Sequence, residues 1–288
     1  MTEGRGVSAV LLLTCRDQKG LVAAVSDFLY RHDGNIIHAD QHTDAEEGVF
    51  LQRVEWELEG FGIAREGIAE AFRPIAERFA MEWRLRFSVD LPRVAILASK
   101  LPHCLYDLLA RWRLGEFRAE VPVVISNHAD LRELVEGFGV AYEYLPVTAA
   151  TKSEQEARMA ARIDAERVDL IVLARYMQVL SDGFVGRYPQ RIINIHHSFL
   201  PAFAGARPYH QAHERGVKII GATGHYVTSA LDQGPIIEQD VARVSHRDSV
   251  EDLVRKGRDL EKVVLWRALD LHLRNRVIVY GNKTVVFD

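Results

Sequence analysis

The sequence has little cysteine, no long apolar run and no large excess of either charge. Cys15 and Cys104 are the two cysteines among 288 residues, too few for a disulfide framework or a structural zinc site. So few cysteines are typical of a reducing cytoplasm, where we expect this chain to work. The apolar stretch VSAVLLLTC near the amino terminus is far shorter than the roughly 18 residues of a membrane span, so it predicts a buried strand.

The charge balance argues against a nucleic-acid-binding protein. Lysine and arginine number 36 against 40 acidic residues, and a net charge of −4 is unlike the strongly basic composition that nucleic acids attract. Hydrophobic residues make up 48% and charged residues 26%, which is the balance of a globular protein with a packed core. The length suits one large domain or two ordinary ones.

The first ninety residues follow the order strand, helix, strand, strand, helix, strand, which is that of the ferredoxin-like βαββαβ motif. The two helices are predicted from apolar residues at helical spacing. In the third strand, one face is formed by Phe50, Gln52, Val54, Trp56 and Leu58, which predicts a half-buried strand. Pro92 interrupts local structure and a new apolar strand follows it, so we predict two domains, 1–90 and 91–288.

Strands and helices alternate through the second domain. The apolar runs VVIS and LIVLA predict strands buried on both faces, as in a parallel sheet. The pattern therefore indicates a doubly wound, mostly parallel, Rossmann-like α/β domain with its site at the carboxyl ends of the strands. No dinucleotide glycine fingerprint follows the first strand and no P-loop occurs, so we expect neither a nicotinamide nor an ATP cofactor.

The stretch RIINIHH predicts a strand that ends in polar residues. Alternate residues of a strand share a face, so Asn194 and His196 should point one way and His197 the other. Neighbouring histidines that face apart do not readily chelate one metal ion, and we predict no metal site. An amide and an imidazole suit a carbonyl instead, since both donate to an oxyanion and the imidazole also transfers protons.

A third group is needed for the proton of an attacking water or amine. Asp232, in the loop SALDQGPII, is a candidate, and a dry pocket would raise the pKa of such a carboxyl group toward neutrality. A loop carboxylate beside glycine is also a common turn former. The residues alone leave both interpretations open.

The stretches NIHHSFLPAFAGARPYHQA and GATGHYVTSALDQGPII together resemble the formyltransferase fold of folate enzymes. The shared signature is Asn-x-His, a Leu-Pro loop, and an Asp before Gly-x-Ile. It falls on Asn194, His196, Leu200-Pro201 and Asp232. The resemblance implies that the three polar residues are the catalytic set. It also implies that LARYMQVL binds folate through backbone hydrogen bonds and apolar walls, with the residues Met177, Gln178, Val179 and Leu180.

The first strand and the following DQKGLV resemble an ACT domain, a module that binds amino acids in metabolic enzymes. Gly20 permits a tight turn, and the helix amino terminus after it offers free N–H groups to a carboxylate. Asp17 and Asn35 are the nearest polar candidates, so we predict an amino-acid effector site from these three residues. The alternative is that Asp17 and Gly20 only shape the turn.

An ACT-like first part and a formyltransferase-like second part together resemble the formyltetrahydrofolate deformylase family over essentially the whole chain. The stretch SKLPHC lacks the glycine-rich phosphate loop of the ribonucleotide transformylases and places His103 and Cys104 in the predicted loop. The resemblance implies hydrolysis of 10-formyltetrahydrofolate to formate and tetrahydrofolate. Such a reaction balances one-carbon folate pools and supplies formate for purine synthesis.

The resemblance implies no cofactor, because the folate is the substrate. We expect His197 to support His196 near the substrate or to cap its loop, and His225 to touch the formyl group or to be a satisfied strand residue. A ferredoxin-like sheet edge pairs readily with a second copy, so we expect a homo-oligomer. Two alternatives remain, formyl transfer to an amine acceptor and a non-enzymatic amino-acid-sensing module.

Overall fold

The structure is a computed structural model that describes residues 6–200 and 208–287. The chain folds into two units that divide between Leu91 and Pro92. The first unit also contains Arg274–Asp288, which the sequence division had assigned to the second domain. Within the described ranges, no helix combines the length and the apolar character that crossing a membrane requires.

The first unit contains an antiparallel sheet with two helices on one face. Its elements are β1 Ser8–Arg16, α1 Leu21–Arg31, β2 Ile36–Asp44, β3 Val49–Glu57, α2 Arg65–Arg78 and β4 Glu82–Phe87. The strand order is β2-β3-β1-β4, with every neighbouring pair antiparallel, which confirms the predicted βαββαβ motif. The core between helices and sheet joins Phe28 of α1 and Phe72 of α2 to Leu11, Leu13 and Trp56 of the strands.

The second unit is built on a seven-stranded sheet. Its elements are β5 Val94–Ala98, α3 His103–Arg113, β6 Val123–Ser126, α4 Arg132–Gly137, β7 Ala141–Tyr144, α5 Lys152–Ala165, β8 Leu170–Ala174, α6 Asp182–Arg187, β9 Ile192–His196, α7 Pro208–Glu214, β10 Ile219–Tyr226, β11 Ile236–Arg243 and α8 Val250–Leu273. Strands β5 to β9 pair in parallel, and β10 runs antiparallel to both its neighbours. The predicted doubly wound domain is confirmed.

The sheet order β11-β10-β9-β8-β5-β6-β7 reverses direction between β8 and β5. Every residue of β5 and of β8 is buried, as their continuous apolar runs predict. In open α/β sheets the ligand crevice lies outside the carboxyl ends of the strands at such a reversal. A ligand-binding site is therefore expected at the carboxyl ends of β5, β8 and β9.

The chain ends in a hairpin on the other face of the first unit's sheet. Strands β12 Val277–Tyr280 and β13 Lys283–Val286 form this hairpin. Ile278 and Phe287 pack against Val10, Leu12 and Leu51 of the sheet in a second, smaller core. The predicted one-sided burial of β3 is therefore wrong, because the hairpin covers the face that the alternation left to solvent.

Candidate active site

The register between β9 and β10 brings the first polar groups together. Ile193 and Ile195 are buried while Asn194 and His196 are half-buried, which confirms the predicted alternation. In the antiparallel pairing, Asn194 lies opposite His225 and His196 lies opposite Thr223. Residues directly opposite in such a pair are close neighbours, and the Asn194 Nδ2 atom is 3.2 Å from Nε2 of His225.

His225 fixes the orientation of the Asn194 amide. Its Nδ1 lies 2.9 Å from the carbonyl oxygen of Tyr226, which only accepts, so Nδ1 carries the proton. Burial lowers the pKa of His225 and keeps the ring neutral, so Nε2 accepts from Asn194. The other amide hydrogen of Asn194 has no partner within residues 6–200 and 208–287 and can donate to a ligand. This geometry favours the satisfied strand histidine over the predicted contact of His225 with the formyl group.

Asp232 reaches the same place from the loop between β10 and β11. Its Oδ2 lies 3.3 Å from Nδ1 of His196, and its Oδ1 lies 3.8 Å from Nε2 of His225. The hydrogen bond from His196 lowers the pKa of Asp232 more than partial burial raises it. The expectation that a dry pocket raises this pKa is wrong, and Asp232 is an ionised carboxylate at neutral pH.

His196 presents one ring nitrogen for a ligand. A carboxylate only accepts, so Nδ1 of His196 donates to Asp232. The opposite nitrogen, Nε2, is buried and has no hydrogen-bond partner among the described residues. Buried polar atoms are nearly always paired, because an unpaired one costs about 1–3 kcal/mol. An unpaired Nε2 beside Asn194 and Asp232 is what a binding position for a carbonyl oxygen requires.

His197 lies against His196 rather than facing away from it. Strand β9 ends at His196, so strand alternation does not extend to the next residue. The two rings stack with centroids 5.0 Å apart and planes 28° apart, and the predicted opposite facing is wrong. Nδ1 of His197 is 2.7 Å from Nη1 of Arg175. Burial, with the charge of Arg175, lowers the pKa of His197 to about 4.

Glu261, a buried acid on α8, lies at the centre of a polar cluster next to this pair. Its Oε2 is 2.7 Å from Nε2 of His103 and 3.4 Å from Nε of Arg175, and its Oε1 accepts from the Tyr209 hydroxyl at 2.8 Å. Burial alone would raise the pKa of Glu261, but His103 and Arg175 lower it on balance. The cluster therefore holds a buried anion next to a largely buried cation.

This cluster contains the one group of possible metal ligands found among the described residues. His103, Cys104 and Glu261 place ligand atoms within 4.8 Å of one another. Both carboxylate oxygens already accept hydrogen bonds, a guanidinium lies beside them, and burial raises the pKa of Cys104 so that its thiol stays protonated. These residues fit a hydrogen-bond network better than a metal centre, and the absence of a metal stays a prediction.

Comparison with known proteins gives the family. Residues 92–269 match the formyl transferase family model, and residues 9–77 match the ACT domain model. A formyltetrahydrofolate deformylase from Synechocystis sp. is 56% identical over 283 residues, which cover 98% of this chain and 99% of that protein. The chain belongs to the formyltetrahydrofolate deformylase family.

Two solved structures are similar to this chain over different lengths. The crystal structure of a formyltetrahydrofolate deformylase from Pseudomonas syringae pv. tomato is 49% identical, with a TM-score of 0.97, and covers 100% of this chain and 96% of that chain. A glycinamide ribonucleotide transformylase from Symbiobacterium toebii is 34% identical, with a TM-score of 0.65, over 71% of this chain and 98% of that chain. The transformylase thus matches only part of this chain, whereas the deformylase structure matches all of it.

The predicted folate-binding segment of this deformylase-family chain follows β8, at the sheet reversal. Met177 and Val179 are each 58% exposed, while Leu180 is partly buried against the core of the second unit. Gln178 is half-buried between them. The Met177 N–H donates to the Ser99 hydroxyl at 2.9 Å, so that backbone donor is already used. The backbone groups of residues 178–180 have no partners in the described part of the chain, and together with the exposed Met177 and Val179 they can contact a ligand.

One chain does not assemble the three predicted effector residues. Gly20 precedes α1 in the left-handed conformation, with φ 93°, as the tight turn requires. Asp17 lies next to Gly48, where β3 begins, whereas Asn35 donates to Glu57, where β3 ends. A strand of this length spans about 26 Å. A site that includes Asn35 with the other two would need a second copy of the chain.

Two residues of the site, Arg175 and Glu261, were not among those predicted from the sequence. Arg175 follows a wholly apolar strand directly, at the edge where ligands bind. Glu261 stands in a buried stripe of α8 that also contains Leu253, Val264 and Leu265. A charged residue inside such a stripe is the signal that identifies it. Pro201, from the Leu-Pro loop of the family signature, lies outside the described residues.

Gly234, in the loop that contains Asp232, packs too closely against Tyr226 to accept a side chain. A Cβ atom there would lie 1.8 Å from the Tyr226 carbonyl oxygen, the atom that fixes the His225 tautomer. Gly234→Ala should therefore displace the loop and lower the free energy of unfolding by about 1–3 kcal/mol. We expect kcat for deformylation of formyltetrahydrofolate to fall by at least about tenfold with little change in KM. Urea unfolding and steady-state kinetics measure both effects.

Gly137→Ala is the matched control. Gly137 ends α4, is exposed, and has nothing within 4 Å of an added Cβ. This variant should match the unchanged protein in activity and be at least as stable, because alanine favours a helix more than glycine does. If Gly234→Ala behaves like Gly137→Ala, close approach of the loop to Tyr226 does not position Asp232.

Proposed function

We propose that the protein hydrolyses 10-formyltetrahydrofolate to formate and tetrahydrofolate, with Asn194, His196 and Asp232 as its catalytic residues. One observation carries the assignment of the site. An amide, an imidazole and an ionised carboxylate meet at the strand ends, and the imidazole has an unpaired buried nitrogen. These are the groups that an attack on a formyl carbon uses. The family name of the relatives supplies the substrate.

The proposed reaction proceeds in two steps. Asp232 accepts a proton from water as the water oxygen bonds to the formyl carbon, and the carbonyl oxygen takes up negative charge. That oxygen accepts from the free amide hydrogen of Asn194 and from Nε2–H of His196 in its protonated form. The oxyanion then re-forms the carbonyl double bond as the carbon–nitrogen bond breaks, and the folate nitrogen receives the proton from Asp232. Formic acid leaves and loses its remaining proton to solvent as formate. The proposed scheme uses no cofactor, and this absence is itself part of the proposal.

His196 and Asp232 act as a coupled pair in this scheme. Their hydrogen bond keeps Asp232 ionised and sets the ring so that Nε2 points away from the carboxylate. A carboxylate with a lowered pKa is a weak base by itself, so the stabilised oxyanion supplies the larger part of the rate. Met177, Gln178, Val179 and Leu180 remain the proposed folate-binding segment.

Formyl transfer to an amine is the competing proposal, since the second unit resembles a transformylase. The first strand–helix turn of this unit argues against an anionic acceptor. His103 and Cys104 begin α3 there, rather than lying in the predicted loop, and His103 is bound to the buried Glu261. A second anion next to that carboxylate would be repelled.

An assay without acceptor separates the two reactions. We expect purified protein and 10-formyltetrahydrofolate to give formate and tetrahydrofolate in equal amounts over many turnovers. Primary amines added in excess should leave the rate of formate release unchanged. Tetrahydrofolate formed only with an amine, and without formate, would establish a transferase instead.

We also propose a compartment, an oligomeric state and an effector site for this protein. The protein works in the cytoplasm, forms a homo-oligomer, and binds an amino-acid effector through its ACT domain at a site shared between two copies. The separation of Asn35 from Asp17 along the sheet supports a shared site. Light scattering should then give a mass above one chain, and amino acids should raise the melting temperature.

A further inference from the structure

We propose that Arg175 is a positioning residue that acts through His197, holding this ring as an uncharged partner of His196 so that His196 alone carries the positive charge of the histidine pair. This inference rests on the proposed function for its effect on turnover. Its structural part, the state of the His197 ring, is measurable without any substrate.

Arg175 is held in place by its backbone and by two partners. It follows β8 directly with φ 61°, a left-handed conformation that costs a residue of this type energy. Its side chain is 11% exposed, with Nη1 at 2.7 Å from His197 Nδ1 and Nε at 3.4 Å from the Glu261 carboxylate. Glu261 thus balances the charge of a guanidinium that is turned toward a histidine.

The contact decides which nitrogen of His197 carries the proton. A guanidinium only donates, so Nδ1 of His197 accepts and the single ring proton lies on Nε2. A protonated His197 would lose this hydrogen bond, because Nδ1 could no longer accept, and it would put a second positive charge beside the guanidinium. Its pKa of about 4, lowered by burial and by Arg175, agrees with a ring that is neutral at working pH.

The surroundings of His197 show what this neutrality does. The charged and titratable groups that face it are Arg175 after β8, His196 on β9, Glu261 on α8, Asp232 in the β10–β11 loop and Tyr209 on α7. His196 lies flat against it, so a charge on His197 would oppose the charge that His196 acquires. It would also draw Asp232 away from its hydrogen bond with His196. Arg175 prevents both.

The test compares Arg175→Asn with Arg175→Lys. Asparagine tolerates the left-handed backbone, so this variant removes the guanidinium without adding strain, and lysine restores the charge without the planar fork. Arg167→Asn is the matched control. Arg167 is an exposed arginine at the other end of β8, also left-handed, with φ 49°. Circular dichroism melting checks that all three fold.

The first measurement is the titration of His197 by NMR, with its ring signal assigned by its loss in His197→Gln. In the unchanged protein and in Arg167→Asn, the signal should not move between about pH 5 and 8. In Arg175→Asn, the pKa should rise, so that the ring gains a proton as the pH falls. In Arg175→Lys, the pKa of His197 should lie between its values in the unchanged protein and in Arg175→Asn.

The second measurement is kcat against pH. We expect Arg175→Asn to lose about 10- to 100-fold in kcat at neutral pH with little change in KM, and its activity to fall further as the pH drops through the raised pKa of His197. A His197 that titrates near its usual pKa in the unchanged protein, or that is unaffected in Arg175→Asn, would overturn the inference. If the NMR result holds and no variant or parent releases formate, the proposed function fails and not this inference.

Discussion

Asp232→Asn is expected to lower kcat for formate release by about 10³-fold while the protein folds normally. Asparagine has the same shape and tolerates the left-handed backbone at residue 232, where φ is 54°. The amide cannot take a proton from water and cannot deliver one to the departing nitrogen. It also removes the negative charge that the His196 ring faces at 3.3 Å. KM should change little, because the folate contacts lie elsewhere in the proposal.

Asp33→Asn is the control for this variant. Asp33 has nearly the same backbone conformation, with φ 57°, and it is an exposed residue of the first unit. Activity of this control should equal that of the parent. Initial rates of formate formation and thermal melting should be recorded for both variants. An Asp232→Asn protein that keeps a tenth or so of the parent rate would remove Asp232 from the proposed mechanism.

His196→Ala should lose about 10²–10³-fold in kcat, since it removes a donor to the developing oxyanion. It should also change the pH dependence of the residual activity. The hydrogen bond from His196 is the largest cause of the lowered pKa of Asp232, so the pKa of Asp232 should rise without it. Asp232 acts as a carboxylate, so residual activity should disappear at a higher pH on acidification than in the parent.

His246→Ala is the matched control, because His246 is exposed and lies in the loop before α8. A full pH–rate profile of both variants separates the loss of a donor from the shift in Asp232. Residual activity of His196→Ala with the parent's acid limb would show that the two side chains are not coupled. Parent-like turnover would exclude His196 from catalysis altogether.

The fold followed from the sequence because its signals are local. Apolar periodicity places each main helix and strand, and the change from an alternating to a continuous apolar pattern separates the two sheets. Asn194 and His196 were found for the same reason, since a strand fixes their common direction. Asp232 lies in a loop, where the residues alone leave a turn former and a catalyst both open, and only the family resemblance selected it.

The features that the sequence hid depend on contacts between distant segments. The carboxyl-terminal hairpin covers a sheet face that an alternating pattern assigns to water. His197 stacks on His196 because the strand ends between them, and its neutrality depends on Arg175 from the next strand of the sheet. Glu261 fixes Arg175 from a helix far along the chain. Local periodicity can flag Glu261 as a charged residue in an apolar stripe, but it does not show which distant groups these side chains contact.

The most direct test of the account is a crystal structure with a hydrolysis-resistant analogue of 10-formyltetrahydrofolate. The account predicts the formyl oxygen within hydrogen-bond distance of the Asn194 amide and His196 Nε2, and the Asp232 carboxylate within one water molecule of the formyl carbon. A formyl group bound away from these three side chains, with Asp232 still paired to His196 as in the free protein, would contradict it.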